Sequence, residues 1–305
     1  MLERFSTLLH REWMQDKVVW IISICVPTLI ALGLLAVGKV EWTLDDADVT
    51  IQLAALPATT LAMGAIASTA GLTLLIAWFT ALFQSPGLAR RDQQDRSIEF
   101  WLSLPTGHVP SLAAPMLAHL LLFPIIALVV GVVSGHLISL VLLAKVASLG
   151  DWFTLPWGTM LAATLAWTAR MVLGIVLATL WISPLVLLAM AASAWLKRWG
   201  LPALVATLVV AGNLLEKLYG NPVVWDTLQL LLKHAGQSLL GTQQGPVTSI
   251  RQSTRLPEQL SAMPAWMAED AGRAIVALAN PLLLYGLLVS AACFALLVIR
   301  RRRGT

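Results

Sequence analysis

Residues 114–142 read APMLAHLLLFPIIALVVGVVSGHLISLVL. No Asp, Glu, Lys or Arg interrupts them, and the nearest such residues, Glu99 and Lys145, enclose 45 others. A helix that crosses a bilayer needs about 20 apolar residues, and it satisfies its own backbone hydrogen bonds where no water can. The stretch therefore reads as a membrane span. The same test works outward along the chain. Lys17 and Lys39 enclose 21 residues free of these charges, Asp48 and Arg90 41, Arg170 and Lys197 26, Arg198 and Glu216 17, and Arg273 and Arg300 26. Spans are expected near 18–38, 60–83, 114–142, 171–195, 200–216 and 276–299. The fold class is then all-α: a polytopic membrane protein with six transmembrane helices, forming one domain over residues 1–305.

Composition excludes the alternatives. Of 305 residues 58% are hydrophobic and 12% charged, with a mean hydropathy of +0.80. Soluble domains carry about 25% charged residues. One water-soluble domain could not hide this much apolar surface, and disorder requires low hydrophobicity.

The charges set the expected orientation. Arg4, Arg11 and Lys17 precede the first span, and Arg300, Arg301, Arg302 and Arg303 follow the last. Positive flanks stay in the cytoplasm, so both termini are expected there and the number of spans is even. That parity retains the fifth span despite its length and Pro202 near its start. Twelve basic residues then fall on inner segments and seven on outer ones, while the first outer loop is acidic (Glu41, Asp45, Asp46, Asp48). The basic isoelectric point of 9.4 thus reflects cytoplasmic flanks rather than nucleic-acid binding. Trp20, Trp42, Trp78, Trp152, Trp195 and Trp199 fall near span ends, where indole rings prefer to sit. The first span is too long an apolar run for a cleaved signal and is expected to stay as an anchor. Cys25 and Cys293 both lie within spans and build neither a disulfide framework nor a metal site.

Motifs for chemistry are absent. Gly38-Lys39 is followed by Val40, so there is no phosphate loop for ATP. HExxH, GxSxG and metal-spaced Cys/His pairs are missing. His119 and His136 are 17 residues apart and fall on different faces. The spans themselves hold no Asp, Glu, Lys or Arg except Arg170 and Glu216 at their edges. No buried Asp/Glu pair is expected, which counts against a proton-driven carrier. Arg170 is expected to snorkel to the membrane surface, the alternative being a substrate anchor.

Four segments between the spans carry information. Residues 1–17 place Leu2, Phe5, Leu8, Leu9 and Trp13 on one helical face and most charges on the other, as an interfacial helix would. Residues 151–169 are expected at the outer surface ahead of the fourth span. The outer segment 216–273 shows helical spacing at Trp225, Leu228, Leu231 and Leu232, and again at Met263, Trp266 and Met267, around a polar centre. Within the second span, Gly64, Ala67, Ser68 and Gly71 permit close helix packing, either inside the chain or against another subunit.

The fourth segment, 84–110, is expected to be cytoplasmic. Pro86 and Gly87 end a span, and Arg90, Arg91, Asp92, Asp95, Arg96 and Glu99 form a charged run. Apolar residues follow, and Pro105 ends the element. A short helix over about 89–104 and a solvated loop are the two readings. The run Arg96-Ser97-Ile98-Glu99-Phe100-Trp101, closing Leu102-Ser103-Leu104-Pro105, resembles the cytoplasmic loop of type-2 ATP-binding-cassette (ABC) transporter permeases. The opening LLHREWMQDK is similar to the basic-Glu segment that begins many of them. Thr106-Gly107 departs from the small residue and Ser often found there.

The resemblance implies the membrane half of an exporter in a bacterial cytoplasmic (inner) membrane. A separate P-loop ATPase subunit would bind ATP and Mg, with no cofactor, metal or catalytic residue in this chain. A second permease chain, the same or different, would complete the pathway. Arg90, Arg91, Asp92, Asp95, Arg96, Ser97, Ile98, Glu99, Phe100, Trp101, Leu104 and Pro105 would form the ATPase-coupling helix. A membrane scaffold or sensor subunit, or a lipid-modifying membrane enzyme, are the alternatives from other classes.

Overall fold

The computed structural model describes residues 2–38, 43–46, 49–52, 56–89, 91, 107–241 and 259–303. The described chain is helical apart from one short antiparallel hairpin, β1 (Thr43–Asp46) and β2 (Val49–Gln52), in the register Thr43 with Gln52. The helices are α1 (Leu2–Val37), α2 (Ala58–Leu88), α3 (His108–Leu117), α4 (Phe123–Val146), α5 (Leu149–Phe153), α6 (Trp157–Leu196), α7 (Gly200–Tyr219), α8 (Val223–Leu240), α9 (Met263–Val276) and α10 (Pro281–Arg303). Five helical stretches are long and apolar enough to cross a membrane: Phe5–Val37, Ala58–Leu88, His108–Val146, Trp157–Tyr219 and Pro281–Arg302. Leu29, Leu34, Phe83, Val133, Leu165 and Leu284 lie more than half exposed along them. This is the surface of an integral membrane protein, whose solvent is lipid.

The N-terminal segment and the first apolar stretch form one helix. Nothing between Leu2 and Val26 breaks it, since the first Pro is Pro27 and the first Gly is Gly33. No turn separates an interfacial helix from a span. Its packed stripe recurs at about one turn: Leu8, Glu12, Trp20, Ile24 and Pro27 are buried, and Asp16 is half-buried on the same line.

Helix α6 is the hub, in contact with α2, α4, α7, α8, α9 and α10. Its Ile175, Trp181 and Met190 are essentially fully buried with Leu128 of α4 and Leu231 of α8. A helix of 40 residues extends about 60 Å, twice the roughly 30 Å of a hydrocarbon core. Of the segment 151–169 only residues in α5 are separate, and from Trp157 onward the chain belongs to α6. Two helices of the 216–273 segment, α8 and α9, pack against α6. Leu260 and Met263 pack with Met160 and Ala163 at one end of α6, and His234 of α8 stacks on Trp181 at 4.3 Å. Both amphipathic spacings in that segment are helices, α8 and α9.

The long fourth stretch is broken. Lys197 takes φ 54°, ψ −126°, and the chain reverses. Gly200 lies so close to α6 that a Cβ there would sit 2.4 Å from Ser193 Cα. Helix α7 therefore folds back along the end of α6.

Close approach also joins α2 to α4. A Cβ on Gly131 would lie 2.8 Å from Ala70 Cα, and one on Gly135 2.6 Å from Ile66 Cα. These two glycines, four residues apart, let the backbones touch. Of the small residues singled out in α2, Gly64, Ala67 and Ser68 are exposed, and a Cβ on Gly64 or Gly71 would meet nothing within 4 Å.

Candidate functional site: a charge cluster at the end of the second helix

Among the twelve residues assigned to coupling, only Arg91 lies in the described part of the chain. Arg90, Asp92, Asp95, Arg96, Ser97, Ile98, Glu99, Phe100, Trp101, Leu104 and Pro105 fall outside the described residues. Arg91 stands three residues past the end of α2, and its guanidinium turns onto α1. Its Nη1 donates to Asp16 Oδ2 at 2.8 Å and lies 3.5 Å from Glu12 Oε2, while Nη2 donates to Gln15 Oε1.

The same two carboxylate oxygens face His119. Its Nε2 is 3.2 Å from Asp16 Oδ2 and 3.8 Å from Glu12 Oε2. His119 and Glu12 are buried, at 0% and 3% exposure. Local structure explains how an imidazole in an apolar span reaches them. Between α3 and α4 the helix widens into a π-turn over Ala118–Leu122, flanked by Pro115 and Pro124. Such turns interrupt an α-helix without ending it and are common at functional sites. The Thr179 hydroxyl of α6 donates to the Leu120 carbonyl within this turn at 3.2 Å, tying it to the hub. Trp20 roofs the cluster: it meets the His119 ring edge-on at 5.4 Å and stacks on Phe123 at 4.6 Å.

Electrostatics follow from the count of charges. Two carboxylates in a largely apolar setting are costly unless paired. Arg91 supplies one guanidinium, and Arg11 Nε lies 3.9 Å from Glu12 Oε1. One ligand atom each from Glu12, Asp16 and His119 lies within 4.8 Å of the others, a spacing compatible with a cation. Arg91 Nη1 already bridges the same two carboxylate oxygens, so the arrangement is that of an ion-pair lock between α1, α4 and the loop.

This cluster overturns one sequence expectation. An Asp/Glu pair is held inside the packed structure, against the expectation of none. It was missed because Glu12 and Asp16 precede the apolar run and were assigned to an interfacial face. The available signal was their four-residue spacing in line with Leu8 and Trp20.

Arg170 is likewise corrected. It does not snorkel. It is 5% exposed, its Nε and Nη2 each lie 2.7 Å from Asp270 Oδ2 of α9, and Nη1 donates to the Ser238 carbonyl of α8 at 2.8 Å. One guanidinium thereby fastens both α8 and α9 to α6. Gly174, one turn on, makes room for it: a Cβ there would lie 2.5 Å from the Ser238 carbonyl oxygen and 3.1 Å from Arg170 Nη1.

No family model matches this chain, and neither a curated protein nor a solved structure does.

Proposed function

We propose that the chain is the membrane-spanning permease subunit of an ABC-type exporter. The observation that carries this reading is the loop sequence Arg96-Ser97-Ile98-Glu99-Phe100-Trp101, whose near end is pinned by Arg91 to α1 and, through the shared carboxylates, to His119 in the π-turn between α3 and α4. A coupling element needs such a root. A push on a freely hinged loop is lost, whereas a push on a loop fastened to two helices moves them. A separate P-loop ATPase would supply ATP and Mg, and its nucleotide-driven closure would act on residues 89–104. Counting the α6–α7 hairpin as two crossings gives six spans, with both termini in the cytoplasm of a bacterial inner membrane. The first turns of α1 would lie at that surface beside the loop. A second permease chain would complete the pathway.

The test is copurification of the full chain from its native membrane. An ATPase of the P-loop class should accompany it, and charge reversal at Glu99 should uncouple that ATPase from transport without releasing the chain from the membrane. If no ATPase accompanies it and Glu99→Lys changes nothing, the permease reading fails and a scaffold or sensor role replaces it.

A further inference from the structure

A second cluster of charge lies at the opposite end of α6 from α8 and α9, where the α6–α7 turn meets the end of α10. Lys197 and Arg198 are exposed in that turn, between Trp195 and Leu196, each 51% exposed, and Trp199, 64% exposed. Arg300 of α10 reaches across, its guanidinium carbon 5.3 Å from the centre of the Trp195 ring, and that of Arg198 lies 5.9 Å from the centre of the Trp199 ring. Among the described residues, no carboxylate pairs with Lys197, Arg198 or Arg300. Arg300 Nε is shielded and has no hydrogen-bond partner there. Lys197 adopts a left-handed φ of 54°, which L side chains rarely take, and this conformation makes the reversal.

We infer that the α6–α7 turn and the end of α10 form a binding site for the headgroup of an anionic phospholipid. Among the described residues, Lys197 and Arg198 in the turn and Arg300 against Trp195 beside it have no carboxylate partner, and they call for a ligand of opposite charge. The surroundings choose its source. The cations are interleaved with exposed indoles and a leucine at the ends of long apolar helices, where a phosphate arrives joined to acyl chains. Guanidiniums over ring faces keep their edges free to hydrogen-bond phosphate oxygens. A soluble acidic partner would recognise the charges but gives no reason for exposed Trp195, Leu196 and Trp199 around them. This site is independent of the permease reading.

The test uses the full chain in detergent and native mass spectrometry, with phosphatidylglycerol and phosphatidylcholine offered in turn. The wild type should retain phosphatidylglycerol preferentially. Each basic residue near a charged surface contributes about fivefold, so Arg198→Gln with Arg300→Gln should weaken that retention about 25-fold and leave phosphatidylcholine unchanged. Lys217→Gln with Lys233→Gln, on α7 and α8, should leave it intact. Should the double variant fail to fold, Arg198→Gln alone, at an exposed turn position, should give the single fivefold loss. Equal retention of both lipids by the wild type would overturn the proposal. So would an undiminished preference in a folded Arg198→Gln variant, or displacement of the lipid by inorganic phosphate, which would mark a free-phosphate site.

Discussion

Arg91 Nη1 lies 2.8 Å from Asp16 Oδ2, joining the segment that follows α2 to the first helix across 75 residues of sequence. The side chains are about one-fifth exposed, so the pair is worth more than a surface salt bridge, which contributes about 0–1 kcal/mol. Charge-assisted hydrogen bonds contribute about 1.5–3 kcal/mol. Arg91→Ala should therefore lower stability by about 2 kcal/mol, read as thermal melting of the solubilised chain. Arg91→Glu should cost more, because it places a third carboxylate beside Glu12 and Asp16. Adding Asp16→Arg to Arg91→Glu should recover at least part of that loss. No recovery would mean that Arg91 does not face α1.

The second lock is Arg170 with Asp270. Removing one partner of a buried pair costs about 3–5 kcal/mol. Asp270→Asn should approach the low end, since the Asp270 side chain is 13% exposed. Arg170→Lys should fail to substitute: one ammonium cannot reach Asp270 and the Ser238 carbonyl in the directions a planar guanidinium does. In a double-mutant cycle with Arg170→Gln, the two sites should couple by about 0.5–3 kcal/mol. Additive losses would dissolve the pair.

What the sequence made legible follows from which property each feature depends on. The stretch 114–142 declares itself a span because that depends on local composition alone. Helices α8 and α9 were legible for a similar reason, since Trp225–Leu232 and Met263–Met267 carry a helical period. The start of α6 was not. Arg170 looked like the membrane edge because a charge in an apolar run is costly, and only tertiary structure reveals Asp270, 100 residues away, which removes that cost. The π-turn at His119 was equally hidden. Pro115 and Pro124 advertised an irregularity there, but not which way it would aim the imidazole. Gly131 and Gly135 lie in the same apolar run, and only tertiary structure shows that they serve contact with α2.

That contact gives a third prediction. Gly135 cannot carry a Cβ unless the α2 backbone at Ile66 moves away from α4. Overpacking of a tight site costs about 1–3 kcal/mol, so Gly135→Ala should destabilise by about that much and Gly135→Val by more. Gly64→Ala should be neutral or slightly stabilising, because a Cβ there meets nothing within 4 Å and Ala is about 1 kcal/mol better than Gly inside a helix. The contrast between two glycines of adjacent helices, measured by melting in the same detergent, removes any general effect of replacing Gly. Equal losses at both positions would mean that the α2–α4 approach is looser than described.

The reversal at Lys197–Trp199 decides how many times the chain crosses the membrane. Helix α7 has 20 residues, which at 1.5 Å each is about 30 Å, the thickness of the hydrocarbon core. Helix α6 is long enough to cross on its own. Both arms of the hairpin can therefore traverse the bilayer, leaving Arg198 on one side and Asn221 on the other. In a chain carrying Cys25→Ser and Cys293→Ser, a membrane-impermeant thiol reagent added to sealed vesicles should label Asn221→Cys and Arg198→Cys from opposite faces. Permeabilised vesicles should label both. Labelling of both from one face in sealed vesicles would mean that α7 lies along the surface or returns without crossing. The span number would then be odd, and Arg4 and the arginines after Val298 would sit on opposite sides. Since that arrangement would strand one basic terminus away from the cytoplasm, opposite-face labelling is the expected result, and it can be obtained independently of any functional assay.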